Sequence, residues 1–517
     1  MFSKFKSEAE NMRRILRSLP AAMFSSETSS LVIPLLVVFA VVAYVRFSRA
    51  RKLSLPDGPK PTWFIGNVLQ IQSSHPEETF TEWGAVYGDV VHLKVFSQST
   101  IVLSSIQAAQ ELLERRSAIY SDRPRFVLLA EMMGWNHSTT HVRYGPRFRK
   151  HRRFIHQTFN HRAVKDLEPI QNQSAQTLLK GLADSPEVFL DHIRGYAAAS
   201  ILKIAYGADV KSNDDLTIKL AEKALKMTIQ SGSPAATLVD YFPLMRYIPT
   251  WAPFSAFKRD ALEVKAAVEQ MMTIPYEQVK EEINMGTAPP SFTSRLIKDC
   301  LVMGTISDED VEDIKGVAGT LYSAAEDTTV CVLTSFILTM VLYPGAFAKA
   351  QEEMDFVVGC ERLPDLSDRE SLPYLESVIK EVYRWNPPVP LGLPHRVMKD
   401  DIFRDRFIPK GSTILANIYA MMKNCSSPDV FRPERYAEEL EDFDPRDVAF
   451  GFGRRKCPGR HYADAGIWIA VSMIVASFDI AKAKDSDGNT ITVVPEFESS
   501  FVRHPKAFKC SIAPRKL

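Results

Sequence analysis

One ten-residue run holds the densest chemistry in the chain: Phe450-Gly451-Phe452-Gly453-Arg454-Arg455-Lys456-Cys457-Pro458-Gly459. Its two inner glycines allow a tight loop, and Pro458 suits the first position of a helix predicted through Arg460 to Ala470. Cys457 then sits at a helix N-terminus beside Arg454, Arg455 and Lys456, and both features favour thiolate over thiol. A nucleotide-binding loop is the rival reading of the glycines. It fails because Lys456 stands where a third glycine is required. A thiolate on a rigid loop is the kind of axial ligand that pushes electron density onto haem iron and favours O–O cleavage.

Four other segments carry reactive types at telling spacings. Glu381-Val382-Tyr383-Arg384 sets an acid and a base three residues apart, on one helix face where they can pair; taken alone, such a pair is a solvated surface feature. Ala324-Ala325-Glu326-Asp327-Thr328-Thr329 sets polar residues in an otherwise apolar helical stretch. Phe148-Arg149-Lys150-His151-Arg152 lies within a basic run, Arg147–Arg153, that also reads as a solvated basic face. Pro394-His395-Arg396 is the fourth.

The cysteine loop matches the pattern F-x-x-G-x-R-x-C-x-G, and with the other segments in this order the chain resembles the cytochrome P-450 haem-thiolate monooxygenases, membrane-anchored fungal members in particular. The resemblance implies haem b with Cys457 as its axial metal ligand, framed by Phe450, Gly453, Arg455 and Gly459. It implies that Glu381 and Arg384 join Arg435, in Phe431–Tyr436, to brace the loop beside the haem. Thr328 would hold dioxygen and its protonating water, and Asp327 would relay protons. Small residues would let this helix open a turn over the haem, with Ala325 in place of the usual glycine narrowing the groove. Arg152 would anchor a haem propionate. Phe148 replaces the family's tryptophan, so the indole donor is lost. His395 and Arg396 are both candidates for a further propionate contact, and the sequence does not choose between them.

The fold so implied is mainly α with small β-sheets (α+β), a triangular helical body behind one N-terminal transmembrane helix. The activity is insertion of one oxygen atom from O2 into a lipophilic small molecule, the other atom leaving as water. Electrons would come from NADPH through a separate flavoprotein reductase, with cytochrome b5 as a further donor, since 517 residues leave no room for a fused reductase. A basic proximal surface suits an acidic reductase. Two alternatives keep the fold: a reductase-free isomerase or dehydratase, and a non-catalytic haem sensor. Thr328 and Asp327 count against both. By resemblance the pocket draws on Phe126–Trp135, Met227–Pro253, Ala318–Asp327, Val389–Leu393 and Glu498–Phe501. The first of these is bulky and apolar and predicts a lipophilic ligand. Phrases such as Asp240-Tyr241-Phe242-Pro243 resemble fungal members that tailor secondary metabolites such as terpenoids.

These residues need elements to position them. A capping box at Ser307 and Asp310 starts a helix that runs from Asp308 to Leu342, where Tyr343-Pro344-Gly345 stops it. At 1.5 Å per residue it is about 50 Å long and carries the Asp327-Thr328 pair across the body. Its uncharged end, Val330–Leu342, is too short to span a membrane and reads as a buried core helix. A second helix runs from Pro373 to Trp385. Strands are expected near Val90–Val95, Ile101–Leu103, Phe407–Ile408 and Ile414–Ala416.

The chain divides into a basic arm (1–27), an anchor (28–46), a Pro-rich linker (47–61) and one catalytic domain (62–517). Thr28–Val45 is uncharged and spans roughly 27 Å as a helix, which suits the endoplasmic reticulum bilayer. Arg46, Arg49, Arg51, Lys52 and Lys60 follow it, so a single-pass anchor with the body in the cytosol is expected. A cleaved signal peptide is disfavoured, because Arg46-Phe47-Ser48-Arg49 stands where small residues should. Charge is balanced, 63 basic against 62 acidic residues, which gives no case for nucleic acid. The six cysteines show no CxxC spacing, so neither a disulfide framework nor a zinc site is supported.

Overall fold

A computed structural model describes residues 53–210, 215–231, 237–302, 304–438 and 443–516. The basic arm, the anchor and the start of the linker lie outside them. The described residues form two units. One takes the chain up to Leu55 with Ile402–Phe407, where Arg406 Nη1 donates to Ser54 Oγ at 2.6 Å. The other, Pro56–Asp401 with Ile408–Leu517, holds everything that follows.

Helices dominate. Those that build the site are α1 (Pro146–Phe159), α2 (Phe189–Tyr206), α3 (Leu216–Gln230), α4 (Ala256–Met285), α5 (Asp308–Leu342), α6 (Pro373–Trp385) and α7 (Arg460–Ser477). The bounds of α5 and α6 are those read from the sequence. Ser307 and Asp310 cap each other reciprocally at the start of α5, and a new helix begins at Pro344. Among the described residues α5 is long and apolar enough to cross a membrane, but 78% of its apolar window is buried in the protein, so it is a core helix.

Two apolar clusters share α5. Its first half (Ile314, Val317, Leu321) packs with Val264, Val268 and Met271 of α4. Its second half (Leu333, Phe336, Met340) packs with Val378 and Val382 of α6 and Trp468 and Val471 of α7. The polar residues Ser323–Thr329 fall at the seam between them. The helix runs unbroken there and no turn opens. Within that turn the Thr328 hydroxyl donates to the Ala324 carbonyl at 2.8 Å.

The main sheet has β1 (Val90–Val95), β2 (Gln98–Leu103), β3 (His395–Arg396) and β4 (Thr413–Ala416) in the order β1-β2-β4-β3. β2 runs parallel to β4, with Ile101 opposite Ile414, and β3 is antiparallel to β4, with His395 opposite Ile414. Successive side chains on a strand point to opposite faces. His395 and Arg396 therefore cannot both face the same side.

Candidate active site

The loop before α7 is closed on itself. Cys457 N–H donates to Phe450 O at 2.8 Å and Lys456 N–H to Gly453 O at 3.1 Å. Gly453 has φ +58°, and a Cβ there would lie 2.0 Å from Leu113 O, so only glycine lets the loop pack against that turn. The helix starts two residues later than the sequence suggests, at Arg460: Gly459 is the N-cap and Pro458 precedes it. The thiolate argument also changes. Arg454 turns out to the Tyr144 hydroxyl, Lys456 pairs with Asp447 at 3.0 Å, and Arg455 donates to Ser121 O and Val142 O, both at 2.8 Å. Burial pushes the Cys457 thiol up. The groups that hold it down are the Gly459 N–H, Arg152 and Arg460.

Cys457 opens on a cavity of about 390 Å³ bounded by this loop, α1, α5, β3 and the segments Leu129–His141 and Pro388–Leu393. Arg123, His141, Arg152, His395 and Arg455 all line it. Arg152 Nη1 donates to Lys456 O at 2.8 Å, which ties α1 to the cysteine loop. His395 Nδ1–H donates to Tyr120 O at 2.8 Å. Burial, with Arg123 and Arg455 nearby, pushes His395 down to about 3, so the ring is neutral and its Nε2 is the free acceptor. Arg396 leaves the cavity. It pairs with Asp122 at 3.2 Å on the opposite face of β3, which corrects its assignment as a cofactor-binding residue. Phe148 lines the cavity with the Arg455 guanidinium carbon 3.7 Å from its ring centroid. The lost indole is replaced by a ring that seats a cation.

This wall holds three guanidiniums, and Arg455 Nη1 is buried without a partner. A cavity with a sulfur ligand on one wall, an apolar lining and an orphaned cationic donor fits a haem, whose iron would take the thiolate and whose propionates would take the guanidiniums.

The roof is α5, which contributes Thr320, Leu321, Ser323, Ala324, Asp327 and Thr328. Asp327 Oδ1 lies 2.8 Å from His504 Nε2. Apolar walls come from Leu129, Trp135, Leu225, Ile229, Val389 and Phe501. The expected contribution of Phe126–Trp135 shrinks to Leu129 and Trp135; Phe126, Leu128 and Met133 pack in the core cluster without lining the cavity. Trp135 Nε1 donates to Thr228 Oγ1 at 3.1 Å, which links that segment to α3.

Below the cavity Glu381 and Arg384 are fully buried, not solvated. Arg384 reaches Glu381 through Nε at 2.7 Å and Nη2 at 2.8 Å. Arg435 Nε lies 3.0 Å from the same carboxylate, and the Arg432 N–H donates to it at 2.7 Å. Arg384 Nη1 also donates to Pro428 O at 2.9 Å. The three residues expected to brace the loop do meet.

Sequence reasoning missed Arg123, His141 and His504. Arg123 donates to Thr140 O, Leu393 O and Pro394 O at 2.8–3.0 Å. His504 lies three residues past the last predicted pocket segment, and a scan of titratable residues beside that segment would have found it.

Comparisons with known proteins agree with this geometry. The family model for Cytochrome P450 matches residues 56–512. The chain is 41% identical to cytochrome P450 monooxygenase 176 of Postia placenta, covering 92% of this chain and 94% of that protein. It is 40% identical to cytochrome P450 monooxygenase claR of Ampulloclitocybe clavipes, with 90% and 87% covered. It is 39% identical to the P450 monooxygenase eriC of Hericium erinaceus, with 92% and 94% covered.

Proposed function

The chain belongs to the cytochrome P450 family and is a P450 monooxygenase, and we propose that it oxidises a neutral, lipophilic small molecule of fungal secondary metabolism, a terpenoid among the first to test. The observation that carries the site assignment is Cys457 on its closed loop, across one cavity from Thr328 and Asp327, with three guanidiniums on the intervening wall.

Cys457 would hold the haem iron and Arg123, Arg152 and Arg455 its propionates; His395 would reach a propionate only as an imidazolium, donating Nε2–H while Nδ1–H stays on Tyr120 O. The bound haem supplies dioxygen binding and reductive O–O cleavage. The protein's own part is placement. Thr328 Oγ, already bonded to Ala324 O, keeps its lone pairs for a water that faces the cavity. Asp327 holds or yields a proton at Oδ1 or Oδ2 for that water. Leu129, Trp135, Leu225, Val389 and Phe501 exclude bulk water and give the substrate an apolar seat. Apart from Asp327 this half of the cavity carries no charged side chain among the described residues, which favours an uncharged substrate.

Electrons would reach the haem from NADPH through a flavoprotein reductase, with cytochrome b5 as a second donor. The exposed Arg143, Arg149, Arg153 and Arg454, close to the cysteine loop, offer an acidic partner a basic landing. Residues 28–46 would anchor the 62–517 domain to the endoplasmic reticulum membrane, single-pass, with the domain in the cytosol. A further apolar surface supports membrane contact. Trp63, Leu69, Leu244, Trp251 and Phe254 are each more than 80% exposed, and Phe64 stacks on Phe242 to join the two segments that carry them.

The test is spectral. Reduced protein under carbon monoxide should show the red-shifted Soret band of thiolate ligation, and Cys457→Ala should abolish it; persistence in that variant overturns the assignment. A Soret-shift screen of uncharged terpenoids against their carboxylic-acid analogues should favour the uncharged set. Preference for the acids overturns the substrate class.

A further inference from the structure

We propose that His504 is a positioning residue for the oxygen-activating acid: it fixes the Asp327 carboxylate through Nε2 and recharges it with protons from solvent. This rests on the monooxygenase reading above.

The contact is direct, 2.8 Å between His504 Nε2 and Asp327 Oδ1, and both side chains are partly open, 22% and 28% exposed. Asp327 lines the cavity and His504 does not. The pair therefore runs from the cavity wall to a residue outside it. Three features hold His504 in place. His504 N–H donates to Val502 O at 3.0 Å, and Glu498 N–H donates to His504 O at 2.8 Å, closing a short hairpin. The preceding residue pins that hairpin to the body: Arg503 Nη1 donates to Asn386 Oδ1 at 2.9 Å, and Arg503 O accepts from Asn386 Nδ2 at 2.9 Å. The Arg503 guanidinium also lies 4.0 Å from the Phe497 ring centroid. A histidine held this firmly serves geometry as well as charge.

The proton step balances. The Nε2–H bond of an imidazolium breaks, an O–H bond forms on Asp327 Oδ1, and a neutral imidazole faces a neutral carboxyl. Asp327 then passes its proton to the water at Thr328, and solvent reprotonates His504. Glu326, next to Asp327 on α5, feels both Asp327 and His504, and also Arg194 on α2 and Glu222 on α3; Asp327 and Arg503 act together on Cys331, one turn further along α5. Glu326 is itself a titrating neighbour, pushed up to about 7 by burial and then by Asp327.

Two variants separate the roles. His504→Gln keeps an N–H donor at similar reach but cannot titrate; His504→Ala keeps neither. In reductase-driven turnover, His504→Ala should lower the ratio of product to hydrogen peroxide roughly tenfold, less than the about 10²–10⁴-fold of a positioned acid lost outright. His504→Gln should hold that ratio near the parent's at one pH yet flatten its dependence on pH. A Glu326→Gln background should leave this flattening in place. A readout free of turnover is the C–O stretch of the reduced carbonyl form, which should shift or broaden in His504→Ala and stay sharp in His504→Gln. A parent-like ratio and stretch in His504→Ala overturn the positioning role, and a parent-like pH profile in His504→Gln overturns the proton role. Loss of the thiolate-type band from the parent itself overturns the haem-thiolate reading instead.

Discussion

Replacing Glu381 by glutamine keeps the side chain's shape and deletes its charge. In the folded protein that carboxylate takes two contacts from Arg384, one from Arg435 and one from the Arg432 backbone, all within 3.0 Å. Glu381 and Arg384 are 0% exposed and Arg435 is 1%. Breaking one buried ion pair by removing a partner costs about 3–5 kcal/mol, because it strands the other charge. Here two guanidiniums are stranded, so the upper end, about 5 kcal/mol, applies. At an unfolding entropy of about 2.1 cal/mol/K per residue, a chain of 517 residues loses about 1 °C of Tm per kcal/mol. Glu381→Gln should therefore melt about 5 °C lower, followed by circular dichroism alongside decay of the thiolate-type carbonyl band. Adding Arg384→Met should recover part of the loss, since an apolar side chain leaves one fewer buried cation. A single variant that melts within about 1 °C of the parent with an intact band would refute the claim that charge braces the loop.

Thr328→Ala should leave haem and substrate binding nearly intact while NADPH consumption continues and a larger share ends as hydrogen peroxide; Asp327→Asn should instead slow turnover. Product formed at full rate in both variants would remove the pair from oxygen activation. Glu326 offers a pH test. Burial raises its carboxyl from the ordinary 4.5 to about 7, so the fold binds that proton more tightly than the unfolded chain does. The contribution is complete below about pH 4.5, declines as pH rises and is gone above about 7, a swing of about 3 kcal/mol. Glu326→Gln should thus melt about 3 °C above the parent at pH 8 and level with it near pH 4.5; an equal gain at both ends would contradict the sign. Protein lacking residues 1–52 should keep residual binding to phospholipid vesicles, and Trp63→Ser with Trp251→Ser should abolish it. Unchanged binding in that double variant would place the membrane contact elsewhere.

Much of the fold was legible because its boundaries are chemical. Ser307 with Asp310, and Pro344 and Pro373, mark the ends of α5 and α6 by capping and by the missing N–H of proline, which act within a few residues. The cysteine loop was legible for the same reason. Direction was not. Arg454 and Lys456 precede Cys457 in sequence, yet their side chains go to Tyr144 and Asp447, and Arg152, some 300 residues earlier, supplies the charge together with Arg460. Apolarity likewise gives burial without saying against what: Phe126, Leu128 and Leu129 all join one core cluster, yet of the three only Leu129 also lines the cavity. Arg123 and His141 carry no local signature, and His504 carries only its closeness to the last predicted pocket segment. Only the tertiary fold brings them to the site.

The cluster of Arg123, Arg152 and Arg455 also bears on how the protein comes to exist. Burial presses all three guanidiniums below their ordinary range, and Arg455 feels Arg123 and Arg152 besides. Until two carboxylates arrive, the nascent chain must gather these cations with Asp122 as the main counterweight. Haem would then be a folding partner as much as a catalyst. A ligand that binds the native state alone adds RT ln(1 + [L]/Kd), about 4 kcal/mol when present at a thousandfold excess over Kd. That is comparable to a sizeable fraction of a typical protein's whole stability. Cellular haem supply should therefore govern yield: cells starved of it should accumulate little folded protein, and feeding a haem precursor during synthesis should rescue far more than adding haem to a finished lysate.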